Sequence, residues 1–257
     1  MGITGDSDPT ELHSEKGIMM NPRIRILGIA LALIGIAFIA AGGFAYIKQQ
    51  EGAASLQAFS EKQNVKLAYD DKGQLGGENP EEAAGIMALL TEDWKYPVNK
   101  ADLDPNDPIV NTASEYMYQM ATISYHVLNG TQTVVFTKDM EAANGDIVPA
   151  GTYEFKVDGR YYADFGRANP IEAAARTQAW SPTALGLIGE LGVGTTTASA
   201  LQLALAFAAL LGGLGALTLF TGLGLVWASR VPVTAPVERT APVVTPAVGL
   251  PAPVSGR

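Results

Sequence analysis

Two transmembrane α-helices flanking a small α+β extracytoplasmic domain is the fold class this sequence predicts, and three observations carry it. Residues 26 to 47 (ILGIALALIGIAFIAAGGFAYI) contain no charge, and neither does any position from Leu191 to Ser229. Each run exceeds the ~20 apolar residues that a helix needs to cross a bilayer core. Between them, from Lys48 to Glu190, lie 11 basic and 21 acidic residues, a net −10 against −9 for the whole chain. Within that middle stretch the pattern passes from helical spacing to β-branched, aromatic segments. Charged residues are only 17% of the chain, below the roughly 25% of soluble domains, because the two runs hold none.

The chain divides accordingly. Residues 1–23 form a polar, disordered cytoplasmic tail, and 24–47 the first span. Signal-peptide apolar regions run to about 7–15 residues; this one is longer and lacks a clear Ala-x-Ala site, so it reads as an uncleaved anchor. Met19 and Met20 stand just before it as alternative starts to Met1. Residues 48–182 form the exterior domain, 183–198 an interfacial segment broken near Gly192 and Gly194, and 199–229 the second span. Residues 230–257 repeat Thr-Ala-Pro-Val twice and are rich in Pro, which keeps them extended and unpacked. Arg23 and Arg25 flank one span and Arg230 and Arg239 follow the other, which places both termini in the cytoplasm and the protein in the plasma membrane.

Each span carries a stripe of small residues: Gly28, Ala32, Gly35 and Gly42 in the first, Ala208, Gly212, Gly215 and Gly222 in the second. Small residues let helix backbones approach closely in lipid. The stripes fit an antiparallel pair, or a docking face for another membrane protein or a second copy, or simple Ala/Gly bias.

In the exterior domain, residues 48 to 63 extend the first helix into water, followed by the Gly-rich, charged loop Asp70 to Pro80. Asn79, Pro80 and Glu82, and again Asn169, Pro170 and Glu172, give the same opening, Asn-Pro-x-Glu-Ala-Ala. Asn is a favoured N-cap, Pro suits the first helical position, and a Glu three residues on can reach back to the cap's N–H. The echo is two helix starts, not a duplicated domain. A third helix is expected from Asn111 to Leu128, with Val110, Ala113, Met117, Met120, Ala121, Val127 and Leu128 facing the core and Tyr116 and Ile123 widening that stripe. Glu115, Gln119, Thr122 and His126 are its wetter face, and Asn129-Gly130 its stop. Strands are expected at Thr131–Thr137, after Ala150-Gly151, and at Arg160–Phe165 beyond a turn at Asp158-Gly159.

Chemistry is sparse. Asp102, Asp104 and Asn106 alternate like the start of a calcium loop, but Asp107 stands where that loop needs Gly and Ala113 where it needs Glu. His13 and His126 are the only histidines and there is no cysteine, so neither a metal centre nor a nucleophile–base pair emerges. No cofactor is expected. Gly192-Val-Gly-Thr-Thr196 lacks the Gly-Lys of a phosphate loop, and Asn129-Gly130-Thr131 is an isolated sequon. An acidic exterior excludes nucleic acid as a partner. Trp94, Tyr96, Tyr116, Tyr118, Tyr125, Tyr161, Tyr162 and Trp180 could line a ligand groove, or serve as core and interface anchors.

The stretch DWKYPVNKADLDPNDPIVNTASEYMYQMA (Asp93 to Ala121) and the run from Asn169 into the second span resemble a group of uncharacterised actinobacterial two-span membrane proteins, some labelled aromatic ring-opening dioxygenases. The resemblance implies an anchor helix, an exterior region and a second span, and brings no catalytic residues; one exterior histidine contradicts the dioxygenase label. The expectation is a non-enzymatic accessory or scaffolding subunit of a cell-envelope complex, contacting the lipid bilayer and other membrane proteins. The alternative is an extracytoplasmic ligand-binding or sensor module signalling through its helix pair.

Overall fold

The computed structural model describes residues 22–230. The N-terminal tail up to residue 21, with His13, Met19 and Met20, and the Pro-rich tail from 231 lie outside them. Two helices are long and apolar enough to cross a membrane: α1 (Pro22–Gln63) and α5 (Pro182–Ala228). At about 1.5 Å per residue they are ~63 and ~70 Å long, twice the ~30 Å hydrocarbon core. Between them come α2 (Pro80–Ala88), α3 (Ala113–Asn129), β1 (Thr131–Phe136), β2 (Met140–Glu141), β3 (Ile147–Val148), β4 (Gly151–Lys156) and α4 (Pro170–Ala179).

The chain forms two compact units, Met1–Gly35 with Leu217–Arg257, and Ile36–Ala216. In the first, Gly28 and Gly222 meet. A Cβ added to Gly28 would stand 2.7 Å from the Gly222 carbonyl oxygen, and one added to Gly222 2.5 Å from the Ala32 nitrogen. No side chain fits between these backbones, so glycine is what permits the approach.

In the second unit the same antiparallel pairing recurs. A Cβ on Gly42 would lie 2.9 Å from both the Ala208 oxygen and the Gly212 nitrogen, and one on Gly52 2.7 Å from Leu201 Cδ2. Gly215 is buried in this unit, and Gly35 in the first. Past its apolar run, α1 turns polar: Lys48 Nζ pairs with Glu51 at 2.6 Å, and Gln57 Nε2 donates to Glu61 at 3.3 Å. It ends at Asn64, whose φ of 51° is the left-handed stop that Asn tolerates.

The α+β part hangs on these extensions. Asn79 Oδ1 accepts the Glu82 N–H at 3.3 Å and starts α2; Asn169 Oδ1 accepts the Ile171 and Glu172 N–H groups at 2.9 and 3.4 Å and starts α4. The reach-back of Glu82 differs from expectation: its carboxylate takes the Asn79 side-chain amide at 2.6 Å, because the Asn79 N–H is already given to Gly76 O. Gly76 can hold its φ of 106°, packed against Ala83, only as glycine. The strands form two separate two-stranded antiparallel sheets, β1 with β4 (Thr131↔Lys156 to Phe136↔Gly151) and β2 with β3 (Met140↔Val148), and not one sheet. The core of this part is Val134 and Val157 with Leu90, Ala121, Phe165, Ala175 and Trp180, continued by Leu191 and Ala198 of α5.

Two elements depart from expectation. Arg160–Phe165 is not a strand. Asp158 and Gly159 do turn, both at positive φ, but the Tyr161 N–H is captured by Asp164 Oδ2 at 2.9 Å, and Phe165 stacks on Phe155 at 5.8 Å. A local side-chain hydrogen bond here displaces the ladder. The break near Gly192 and Gly194 is also absent: the 183–198 segment and the second apolar run form one continuous α5. Those glycines make room for α3, as described next.

Candidate functional site

Helix α3 begins at a full capping box. Thr112 Oγ1 accepts the Glu115 N–H at 3.3 Å, while Glu115 Oε2 accepts from the Asn111 and Thr112 N–H groups at 3.0 and 2.8 Å and from the Thr112 hydroxyl at 2.8 Å. Glu115 is therefore buried, at 1% exposure, and not on the wet face. Burial pushes its carboxyl above the usual range, against the pull of those three hydrogen bonds. The cap fixes where α3 starts and so which side chain meets the long helices one residue later.

That side chain is Tyr116. A Cβ on Gly194 would sit 2.6 Å from two of its ring carbons, and its hydroxyl shares a buried 2.8 Å hydrogen bond with Ser60 Oγ of α1. A turn further on, Met120 Cε packs over Gly192, 3.6 Å from where a Cβ would stand. One tyrosine thus ties α1, α3 and α5 together, with its polar atom satisfied internally.

These three helices do not close completely. They leave a groove of about 520 Å³ whose floor is Leu56, Ser60, Tyr116, Leu191 and Gly194. Phe59, Val65, Leu187 and Val193 stand exposed around it, with Gln63, Gln119 and Glu190 as its polar rim. Exposed apolar residues gathered around a concavity mark a binding surface more strongly than scattered ones. On α1 the groove lies beyond the uncharged run, Leu56 being nine residues past Ile47, ~14 Å at 1.5 Å per residue; on α5 it lies at the start of the uncharged run, at Leu191 to Thr197.

A second cavity of about 280 Å³ lies on the same faces of α1 and α5, nearer that run, and shares Leu56. Its lining is mixed, with Gln49, Gln57, Asp107, Asn111 and Gln202 beside Ala53, Leu201 and Leu205, and the buried Gln49 Oε1 has no hydrogen-bond partner. A third, smaller cavity of about 170 Å³ lies between α2 and α3, beside Glu82 and Tyr118. Burial, with Glu82 adding to it, pushes the Tyr118 hydroxyl up to about 12.

The residues singled out in the sequence fall elsewhere. Asp104 Oδ1 accepts both nitrogens of Asn106 at 2.9 Å, and Asp102 Oδ1 accepts from Asn99 Nδ2 at 2.7 Å, so both acids serve turns. Among the described residues no group of three or more His, Cys, Asp or Glu is placed to hold a metal ion. His126 Nε2 faces Glu82 Oε1 at 3.1 Å. The aromatic set does not line the groove, Tyr116 excepted. Trp94 Nε1 donates to the Tyr161 hydroxyl at 2.8 Å, Tyr161 stacks on Trp180 at 5.8 Å, and Tyr162 lies under the Arg176 guanidinium at 4.7 Å. The groove is mainly aliphatic, with Phe59 and Tyr116, because α1 and α5 keep apolar side chains on the faces that meet α3.

The chain matches no protein-family model, no curated protein and no solved structure. The small-residue faces that suggested a docking surface are used within the chain, at Gly28–Gly222 in one unit and Gly42–Ala208 in the other.

Proposed function

We propose that this chain is a non-enzymatic, membrane-anchored binding module. In this reading both termini are cytoplasmic, residues 48–182 lie outside the plasma membrane, and the groove between α1, α3 and α5 receives an apolar ligand. The observation that carries it is the groove itself: about 520 Å³, within the 300–1,000 Å³ range of ligand sites, with apolar walls left exposed. The accessory-subunit reading draws on the same exposed rim, Phe59, Leu187 and Val193, as a contact for a partner protein. It loses the small-residue stripes as its docking face, since those already pack on each other.

The test uses the full chain in lipid nanodiscs with an environment-sensitive apolar dye. Dye fluorescence should rise on the unmodified protein and fall when Thr197→Trp, on the exposed rim, fills the groove. Dye response indifferent to Thr197→Trp and to Leu187→Glu would overturn the reading. Orientation is read separately: the chain has no cysteine, so a single Cys at Asp158 should react with a membrane-impermeant maleimide on intact cells.

A further inference from the structure

Resting on the binding-module reading, we propose that the groove's occupant is one alkyl chain of an uncharged, hydroxyl-rich membrane lipid, with the lipid's head in the neighbouring, partly polar cavity. The two cavities follow one another along the same faces of α1 and α5: residues 49–57 and 198–205 line the first, 56–65 and 187–197 the second. Leu56 belongs to both. The first begins where the uncharged run of α1 ends. Gln49 is two residues past Ile47, and Leu205, on the α5 wall, lies opposite this level because Gly52 faces Leu201 and Gly42 faces Ala208. With residues 26–47 of α1 and the part of α5 that faces them in hydrocarbon, this cavity stands at the height of lipid heads, and the apolar groove just above it.

Chemistry selects the head. The partly polar cavity offers amides, a hydroxyl and the carboxylate of Asp107, and Glu190 stands at the groove rim. No Lys, Arg or His lines either cavity. A phosphate would meet two acids and no cation, whereas hydroxyls can both donate and accept here. Gln49 Oε1, buried without a partner, needs a donor that such a head supplies. The chain pays little to move: it leaves one apolar surrounding for another, so selectivity rests on the head and not on the tail.

The experiment places the full chain in nanodiscs doped with a glycosyl diacylglycerol carrying a diazirine at one chain end, or with the same chain on phosphatidylglycerol. After irradiation the labelled peptides are mapped. The glycolipid should label residues 56–65, 116–123 or 187–197 about tenfold more than the phospholipid, roughly one buried hydrogen bond left unmade. Thr197→Trp should abolish that label, and Gln49→Leu should erase the preference between heads. Equal labelling by the two probes, label confined to residues 26–47 and 205–226, or a crosslink to a second copy at the groove would each overturn the lipid assignment. If dye binding to the groove persists in that case, the binding module stands without its lipid; if the dye also fails, both readings fall.

Discussion

Replacing Gly194 by Ala adds one methyl group to α5, and two effects oppose each other. In a helix the exchange gains about 1 kcal/mol, because Ala restricts the unfolded chain and exposes less backbone. Here, however, the new Cβ would stand 2.6 Å from the Tyr116 ring, which is only 7% exposed and cannot swing into solvent freely. Overpacking of this kind costs about 1–3 kcal/mol. Displacing the ring also parts its hydroxyl from Ser60 Oγ, 2% exposed, and an abandoned buried hydroxyl costs about 1–3 kcal/mol more. The losses win by about 2 kcal/mol, which lowers Tm by roughly 4–8 °C for a chain of this size. The assay is thermal unfolding of the full chain in detergent, with Gly189→Ala as the control. Nothing lies within 4 Å of a Cβ at Gly189, so that variant should be neutral or slightly more stable. Gly194→Ala combined with Tyr116→Leu should lose most of the penalty, since the clash partner is gone. Equal Tm for Gly194→Ala and Gly189→Ala would refute the packing of α3 on α5 described here.

Gly42→Leu should lower the Tm of the full chain, because its Cβ meets the α5 backbone at 2.9 Å, whereas Gly43→Leu next to it meets nothing and should leave Tm unchanged. Tyr69→Phe should be neutral or raise stability by about 1 kcal/mol in chemical unfolding, since its buried hydroxyl has no partner and is pushed up to about 12 by burial and then by Glu115. Glu115 is raised by burial, so the stability it contributes is fully present below its unfolded pKa and is lost as pH rises through the higher folded value. The stability of Glu115→Gln relative to the unmodified chain should therefore climb as pH rises through that folded value, and a difference independent of pH would contradict the burial. Calcium or a chelator should leave Tm unchanged, because Asp102 and Asp104 are held by Asn99 and Asn106.

Much of this architecture is legible locally. An uncharged run of 22 residues can satisfy its backbone in lipid only as a helix, so α1 follows from composition. Asn79 and Asn169 start their helices because capping chemistry acts within three residues. The same rule was available at Thr112-x-x-Glu115, and applying it would have placed that glutamate at the buried cap instead of the wet face. What local rules cannot supply is the neighbour. Gly192 and Gly194 read as helix breakers until Met120 and Tyr116, more than seventy residues earlier, are found lying over them. Arg160–Phe165 reads as a strand until Asp164 takes the Tyr161 N–H and Trp180 takes the ring.

The same distinction bears on where a partner could act. A glycine stripe in an apolar helix signals close approach but not to what, and in this chain the stripes meet each other at Gly28–Gly222 and at Gly42–Ala208. Association through the spans is then left with lipid-facing residues of ordinary size, such as Leu33, Leu210 and Phe220, which offer a neighbouring helix nothing that lipid does not. Above the apolar runs the situation reverses. Phe59, Leu187 and Val193 are exposed, and if they face water, covering them gains free energy that covering lipid-facing side chains does not. On the binding-module reading proposed above, recognition would therefore concentrate around the groove beside Tyr116, where α1 and α5 keep apolar side chains exposed.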